Sequence, residues 1–247
     1  MKINFYSWKL LWVVCAVIFL QGCDSDDDQN GGAYQSGVFV ANEGGFGSGN
    51  ATVTFYDPTS KIVAQNIFKN AGGLFAGDVL QSITLDGDNA YLVLNGSNAI
   101  EVVNNNTFKT VKTFTAPALD KPRYVEVIDD EAYISVWGPY DENYSLIDSY
   151  ILVVDAKTYA VIDTIDTDEG VENMLYDGDH LFASNYNFGS SNSLAVIDPT
   201  DHSLVDQLTL AEGPAGMTLD VNNKLWVITT GTYEGHDGKL FRINPRW

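Results

Sequence analysis

The sequence predicts an all-β fold made of one four-strand unit used repeatedly, and three observations predict it. Apolar residues alternate with polar ones over short stretches, and turn signals rich in Asp, Asn and Gly return every ~8–12 residues. An aromatic residue that follows a polar turn recurs at Phe39, Tyr91, Tyr133, Phe182 and Trp226, in steps of about 42 to 52 residues. Beyond the N-terminal apolar segment, no stretch shows sustained helical periodicity.

The N-terminus is read separately from this repeat. Lys2 and Lys9 precede an apolar run from Leu10 to Leu20, followed by Gln21, Gly22 and Cys23. The run is about half the length that spans a bilayer, so residues 1–22 read as a signal peptide. A small residue directly before a cysteine, with Leu20 two positions earlier, has the form of a lipobox. Cleavage there leaves Cys23 as the first mature residue and the point of lipidation. Residues 23–36 open with Asp24, Ser25, Asp26, Asp27 and Asp28 and are too polar to pack, so they read as a flexible acidic tether. The remaining segment, 37–247, is the repeat domain.

Cys15 falls within the leader and Cys23 at its cleavage point, which leaves the mature fold no thiol for a disulfide. About 225 residues remain, enough for a substantial core held by packing alone. The chain has 33 acidic and 13 basic side chains, for a formal charge of −20. Such a surface repels phosphate backbones and anionic lipid heads, so nucleic acid is not an expected partner, and a neutral or cationic ligand is.

Each repeat can be written as strand A, tight turn, strand B, long loop, strand C, tight turn, strand D. Strand A opens at Ile83, Val125, Met174 and Met217. The A-to-B turns are Asp86–Asn89, Asp129–Glu131, Asp177–His180 and Val221–Lys224, where Asp, Asn and Gly tolerate positive φ. Strand C ends on Asp57, Asn104, Asp155, Asp198 and Asn244, with Pro58, Pro199 and Pro245 directly after, where a fixed φ suits a type I turn. Strand D returns through Lys61–Val63, Thr110–Phe114, Ala160–Asp163 and Leu204–Leu208. A β-sandwich shares the local alternation but not a four-strand unit repeated with the same turns, so the pattern specifies a β-propeller of four-stranded blades.

Gly213–Met217 through Leu225–Val227, together with Ser193–Thr200, resembles the YVTN/YncE-like β-propeller repeat, and Lys121–Val125 with Ala132–Ile134 repeats it less closely. The resemblance covers residues 37 to 247 and extends to DUF5074-like lipoproteins of Bacteroidota. It implies seven blades in a complete protein, of which about four and a half are present here. The first repeat begins at strand B and the last stops before strand D, so the expectation is a chain lacking about two blades and a closing strand. A complete protein with five irregular blades is the alternative. The acidic tract after Cys23 resembles a surface-export signal and implies an outer-membrane lipoprotein facing the cell exterior; a periplasm-facing lipoprotein is the alternative.

The repeat order places the tight turns on one face and the long loops on the other. The loop face carries Phe46, Trp137, Tyr140, Tyr144, Tyr186, Phe188, Tyr233 and His236 among Asn and Asp residues. Such aromatic platforms suit a flat or polyhydroxylated neutral ligand, or else pack the loops between blades. Gln81, Arg123 and Glu172, with Ala215 as a fourth equivalent, stand two positions before the Ile83-type residues. They line the mouth of the central channel or hydrogen-bond between blades.

Catalytic signatures are lacking in the sequence, and no cofactor or metal is expected. His180 and His202 fall on the turn face and His236 on the loop face, so they form no common metal site. Asp86-Gly87-Asp88 and Asp177-Gly178-Asp179 lack the later Glu of a calcium loop. Gly45–Gly49 joins strands and does not open a helix, and no serine lies in a Gly-x-Ser-x-Gly setting. The expected function is therefore non-enzymatic capture of a small-molecule nutrient. The resemblance to surface cobalamin-binding propellers implies a corrinoid such as vitamin B12 and a TonB-dependent outer-membrane transporter as partner, although the aromatic face suits a glycan equally. A hydrolase, lyase or lactonase acting at the channel, or a protein-interaction scaffold, are the rival readings.

Overall fold

A computed structural model describes residues 33–34, 36–72, 75–232 and 235–244. The leader, Cys23, most of the acidic tether, Tyr233 and Pro245 lie outside the described residues. Among the described residues, eighteen strands form five antiparallel sheets, which are the blades of a β-propeller.

Blade 1 contains β1 (Val38–Asn42), β2 (Thr52–Asp57) and β3 (Ile62–Ala64). Blade 2 contains β4 (Leu80–Asp86), β5 (Asn89–Leu94), β6 (Ala99–Asn104) and β7 (Thr110–Phe114). Blade 3 contains β8 (Pro122–Ile128), β9 (Glu131–Val136), β10 (Tyr150–Asp155) and β11 (Val161–Asp166). Blade 4 contains β12 (Val171–Tyr176), β13 (Leu181–Asn185), β14 (Ser193–Asp198) and β15 (Ser203–Thr209). Blade 5 contains β16 (Pro214–Leu219), β17 (Leu225–Thr229) and β18 (Leu240–Ile243). Neighbouring blades meet through their innermost strands, β4 against β8, β8 against β12 and β12 against β16.

Four apolar clusters fill the four gaps between blades. Strand alternation feeds them, because successive side chains point to opposite sheet faces. On β5, Ala90, Leu92 and Leu94 pack toward blade 1, while Tyr91 and Val93 pack toward blade 3. On β13, Leu181 and Ala183 face blade 3 and Phe182 faces blade 5. The recurring aromatics Tyr91, Tyr133 and Phe182 thus fill the gap to the following blade, each burial contributing ~1.5–3 kcal/mol.

Two expectations need correction. Strand A begins three residues before each Ile83-type position, at Leu80, Pro122, Val171 and Pro214, because a β-bulge interrupts the alternation there. The segment after β3 contains a short helix, α1 (Ile67–Gly72), which buries Ile67 and Phe68 against blade 1. With fewer than two full turns, it has no helical period to read.

The turn and loop faces are arranged as the repeat order requires. On the turn face, Asn105 N–H donates to Asp88 O and Ala156 N–H to Asp130 O, linking A-to-B and C-to-D turns within a blade. Gly87, Asp129, Gly178 and Asn223 supply the positive φ of the A-to-B turns. On the loop face, connections between blades meet the B-to-C loops, as where Lys121 N–H donates to Asn98 Oδ1.

Candidate functional site

The site is built on the four bulges. In β4 the extra residue is Gln81, between the pairs Leu80↔Leu94 and Ser82↔Val93. In β8 Arg123 and Tyr124 oppose Ser135, in β12 Glu172 and Asn173 oppose Ser184, and in β16 the extra residue is Ala215. A bulge leaves backbone groups without ladder partners and redirects a side chain. Serine hydroxyls fill the deficit. Ser135 Oγ accepts Tyr124 N–H at 3.0 Å and donates to Glu172 O of the next blade at 2.7 Å. Ser184 Oγ accepts Asn173 N–H at 3.2 Å and reaches Ala215 O at 3.3 Å. In blade 2, Val93 holds the corresponding place, and Ser82 on the paired strand donates to Arg123 O at 2.8 Å instead. Ser135 and Ser184 stand two residues after the repeat aromatic, a spacing visible in the sequence that the reading above does not use.

The bulged side chains converge. Arg123 closes on Glu172 through Nε to Oε2 at 2.9 Å and Nη2 to Oε1 at 2.7 Å. This is a bidentate, charge-assisted pair across the gap between blades 3 and 4, with both side chains largely buried. Gln81 stands near Tyr124, whose hydroxyl is pushed up by burial and by the Glu172 charge beside it. Trp137, 7% exposed, lies under the Arg123 guanidinium with 3.9 Å to its ring centroid. Its indole N–H has no partner among the described residues. Phe188 meets Trp137 edge-on at 4.9 Å and continues the aromatic row toward blade 5.

Phe188 sits in an unusual loop. Asn187, Phe188 and Gly189 all have positive φ, at 40°, 53° and 86°. For the two non-glycine residues this costs of order 1–2 kcal/mol each. Three glycines let the loop lie against its neighbour in a close stack: a Cβ at Gly189 would stand 3.0 Å from Gly231 O, and one at Gly213 would fall onto the Thr230 hydroxyl, 3.1 Å from Gly231 O and 3.3 Å from Gly189 Cα. Beside them lies a cleft of about 190 Å³ lined by Tyr186, Phe188, Thr230, Gly231 and Thr232. The sequence reading includes the two aromatics but not the threonines, which lie in the same Thr229–Gly238 loop without a motif to mark them.

The other aromatics stand apart. Phe46, 87% exposed, tips the glycine loop, whose Gly47 and Gly49 N–H groups donate to the Asp78 carboxylate at 2.9 and 3.3 Å. Tyr144, 85% exposed, tips a turn in which Asp141 Oδ1 accepts from Asn143 N and Ser145 N at 2.8 Å each. Tyr140 lies under Lys121 Nζ at 5.0 Å. His236 pairs with Glu212 at 3.3 Å. Tyr233 lies outside the described residues. No cluster of His, Cys, Asp or Glu among the described residues could hold a metal ion.

On the turn face, His202 of the β14–β15 turn bridges two carboxylates of blade 3, Glu131 at 2.9 Å and Asp163 at 3.2 Å, and meets the Tyr133 ring edge-on. Burial pushes its imidazole down, and the two carboxylates outweigh this, so its pKa lies above the ordinary value.

No curated protein matches the chain in sequence. Its fold is similar to that of Kuenenia stuttgartiensis hydrazine synthase, with a TM-score of 0.59 and 18% identity, covering 92% of this chain and 69% of that one. It is also similar to a protein of unknown function from Bacteroides caccae, with a TM-score of 0.51 and 13% identity, covering 85% and 74%. The WD40 domain of Neurospora crassa Pan2 matches with a TM-score of 0.53 and 10% identity, covering 83% of this chain and 58% of that one. At such identities these likenesses speak to the fold alone. A family model aligns with residues 36–246, nearly the whole propeller, and the chain therefore belongs to the family described as domain of unknown function DUF5074.

Proposed function

We propose that this protein captures a small neutral ligand on the loop face of the propeller, without chemistry. A β-propeller fold suits ligand binding or scaffolding, and the loop face favours the former through one observation. The row Arg123, Trp137, Phe188 runs from the inner strands to an open cleft, with the Arg123 cation already neutralised by Glu172. A neutralised, aromatic-rimmed cleft suits a neutral ligand. The lipobox at Cys23 and its acidic tether support an outer-membrane lipoprotein facing the medium, where capture would supply a nutrient, a glycan or a corrinoid, to a TonB-dependent transporter.

The test is calorimetry on the full chain in detergent, titrated with neutral oligosaccharides and with cyanocobalamin. Saturable heat at one site per chain is expected. Silence from a protein with a β-rich circular dichroism spectrum overturns capture in favour of a scaffold.

A further inference from the structure

The cleft between the Tyr186–Phe188 loop and the Thr230–Thr232 segment has a hydrogen-bonding polarity that narrows its ligand. Thr230 Oγ1 donates to Gly231 O at 3.1 Å, so its lone pairs remain as acceptors. Thr232 Oγ1 accepts His236 N–H at 3.4 Å, so its O–H remains free to donate. A group that satisfies both must donate and accept. A hydroxyl does so, whereas a carboxylate or phosphate, which only accepts, leaves the Thr230 lone pairs unmet.

Size and charge point the same way. At about 190 Å³ the cleft lies below the ~300 Å³ at which drug-sized pockets begin, and it offers room for a single ring between its walls. Its lining carries no formal charge among the described residues, and the formal charge of −20 disfavours anions nearby. Phe188, 48% exposed, presents a ring held by backbone with positive φ against the edge of Trp137. Backbone strain of this kind persists where the surroundings over-determine it, and it collects at ligand clamps.

We infer that this cleft is a carbohydrate subsite: one neutral pyranose ring lays its C–H face on Phe188, and its hydroxyls bridge Thr230 and Thr232. The inference rests on the capture reading above and gives it a substrate class. The glycine stack of Gly189, Gly213 and Gly231 sets the spacing between the two walls.

The experiment titrates the full chain in detergent with maltotriose, cellotriose, mannotriose and chitotriose, using calorimetry and saturation-transfer NMR. Phe188→Ala should weaken the binding oligosaccharide about tenfold, and Phe188→Trp should retain it. Because Phe188→Ala also removes a contact with Trp137, Thr232→Val serves as a second variant that keeps the shape and removes the donor; a loss of about fivefold is expected. Val221→Ser, on the turn face, should leave binding unchanged. Oligosaccharide binding that is indifferent to Phe188→Ala and Thr232→Val overturns the subsite and leaves capture standing. Binding of cyanocobalamin with no oligosaccharide overturns the substrate class alone. Binding of neither by the folded protein overturns both.

Discussion

Arg123 and Glu172 occupy the same bulged position of consecutive blades, 49 residues apart in the chain, and close on each other through two hydrogen bonds of 2.9 and 2.7 Å. The repeat itself produces this meeting, because each blade presents its bulge to the next. Two opposite charges at successive bulges neutralise each other where a single one would stand unpaired.

Breaking that pair should be expensive and replacing it should not. Arg123→Ala leaves a largely buried carboxylate without its partner and should cost about 3–5 kcal/mol in urea denaturation. The double replacement Arg123→Met with Glu172→Met removes both charges at similar volume and should recover all but about 1 kcal/mol. Equal destabilisation by the single and double variants would show that the guanidinium acts through Trp137 and not through Glu172.

The bulges also depend on serine. Ser135 is fully buried and serves a bulge N–H and a carbonyl of the next blade at once. Ser135→Ala strands both and should cost about 1–3 kcal/mol. Its amide neighbour Tyr124 should exchange with deuterium faster in the same variant; protection as in the parent would mean that a different acceptor holds that N–H.

The strands were legible in the sequence because each is short, alternates, and ends in an Asx or Gly turn. The bulges are not legible: an inserted residue breaks the alternation where it occurs, so the alternating pattern of β8 begins at Val125 although the strand begins at Pro122. The positions of Gln81, Arg123 and Glu172 at the mouth of the inner strands followed from the repeat. Their partners depended on geometry between blades, which no local pattern encodes. Serine two places after the aromatic occurs at Ser135 and Ser184, but Val93 interrupts the series, since Ser82 performs the task from the paired strand. The threonines of the cleft carry no signal, because their meaning lies in which lone pair or proton is already used.

His202 should make stability depend on pH. Its pKa is raised in the folded state, so its contribution is fully present below the ordinary value of 6.5 and is lost as pH rises through the folded value. His202→Gln, which cannot titrate, should remove this slope. Chemical denaturation at pH 5.5 and pH 8.5 should show the parent losing more stability than the variant between the two. Parallel losses would assign the slope to other groups.

Asp78 is expected to act locally. Its carboxylate takes the N–H groups of Gly47 and Gly49 and holds Phe46 at the loop tip. Asp78→Ala should speed hydrogen exchange at both glycines about tenfold while changing global stability by less than about 1 kcal/mol. A cooperative loss of blade 1 instead would mean that the loop supports the sheet.

Two glycines with the same φ of +73° separate backbone strain from close approach. At Gly47 an added Cβ meets nothing within 4 Å, so Gly47→Ala bears only the left-handed penalty of roughly 1–2 kcal/mol. At Gly213 the same Cβ falls onto Thr230 Oγ1 and lies 3.1 Å from Gly231 O and 3.3 Å from Gly189 Cα. The Thr230 side chain must turn away, and the two backbone atoms, which cannot turn aside, must give by a few tenths of an ångström. Gly213→Ala should therefore cost ~1 kcal/mol more than Gly47→Ala, beyond any shared conformational term. The excess should appear first at the blade 4–5 gap, as faster exchange of Thr230 and Gly231, whose N–H groups donate to Gly213 O and Glu212 O. Equal costs for the two substitutions would mean that the glycine stack is loose enough to accept a methyl group, and the wall spacing of the cleft would not be set there.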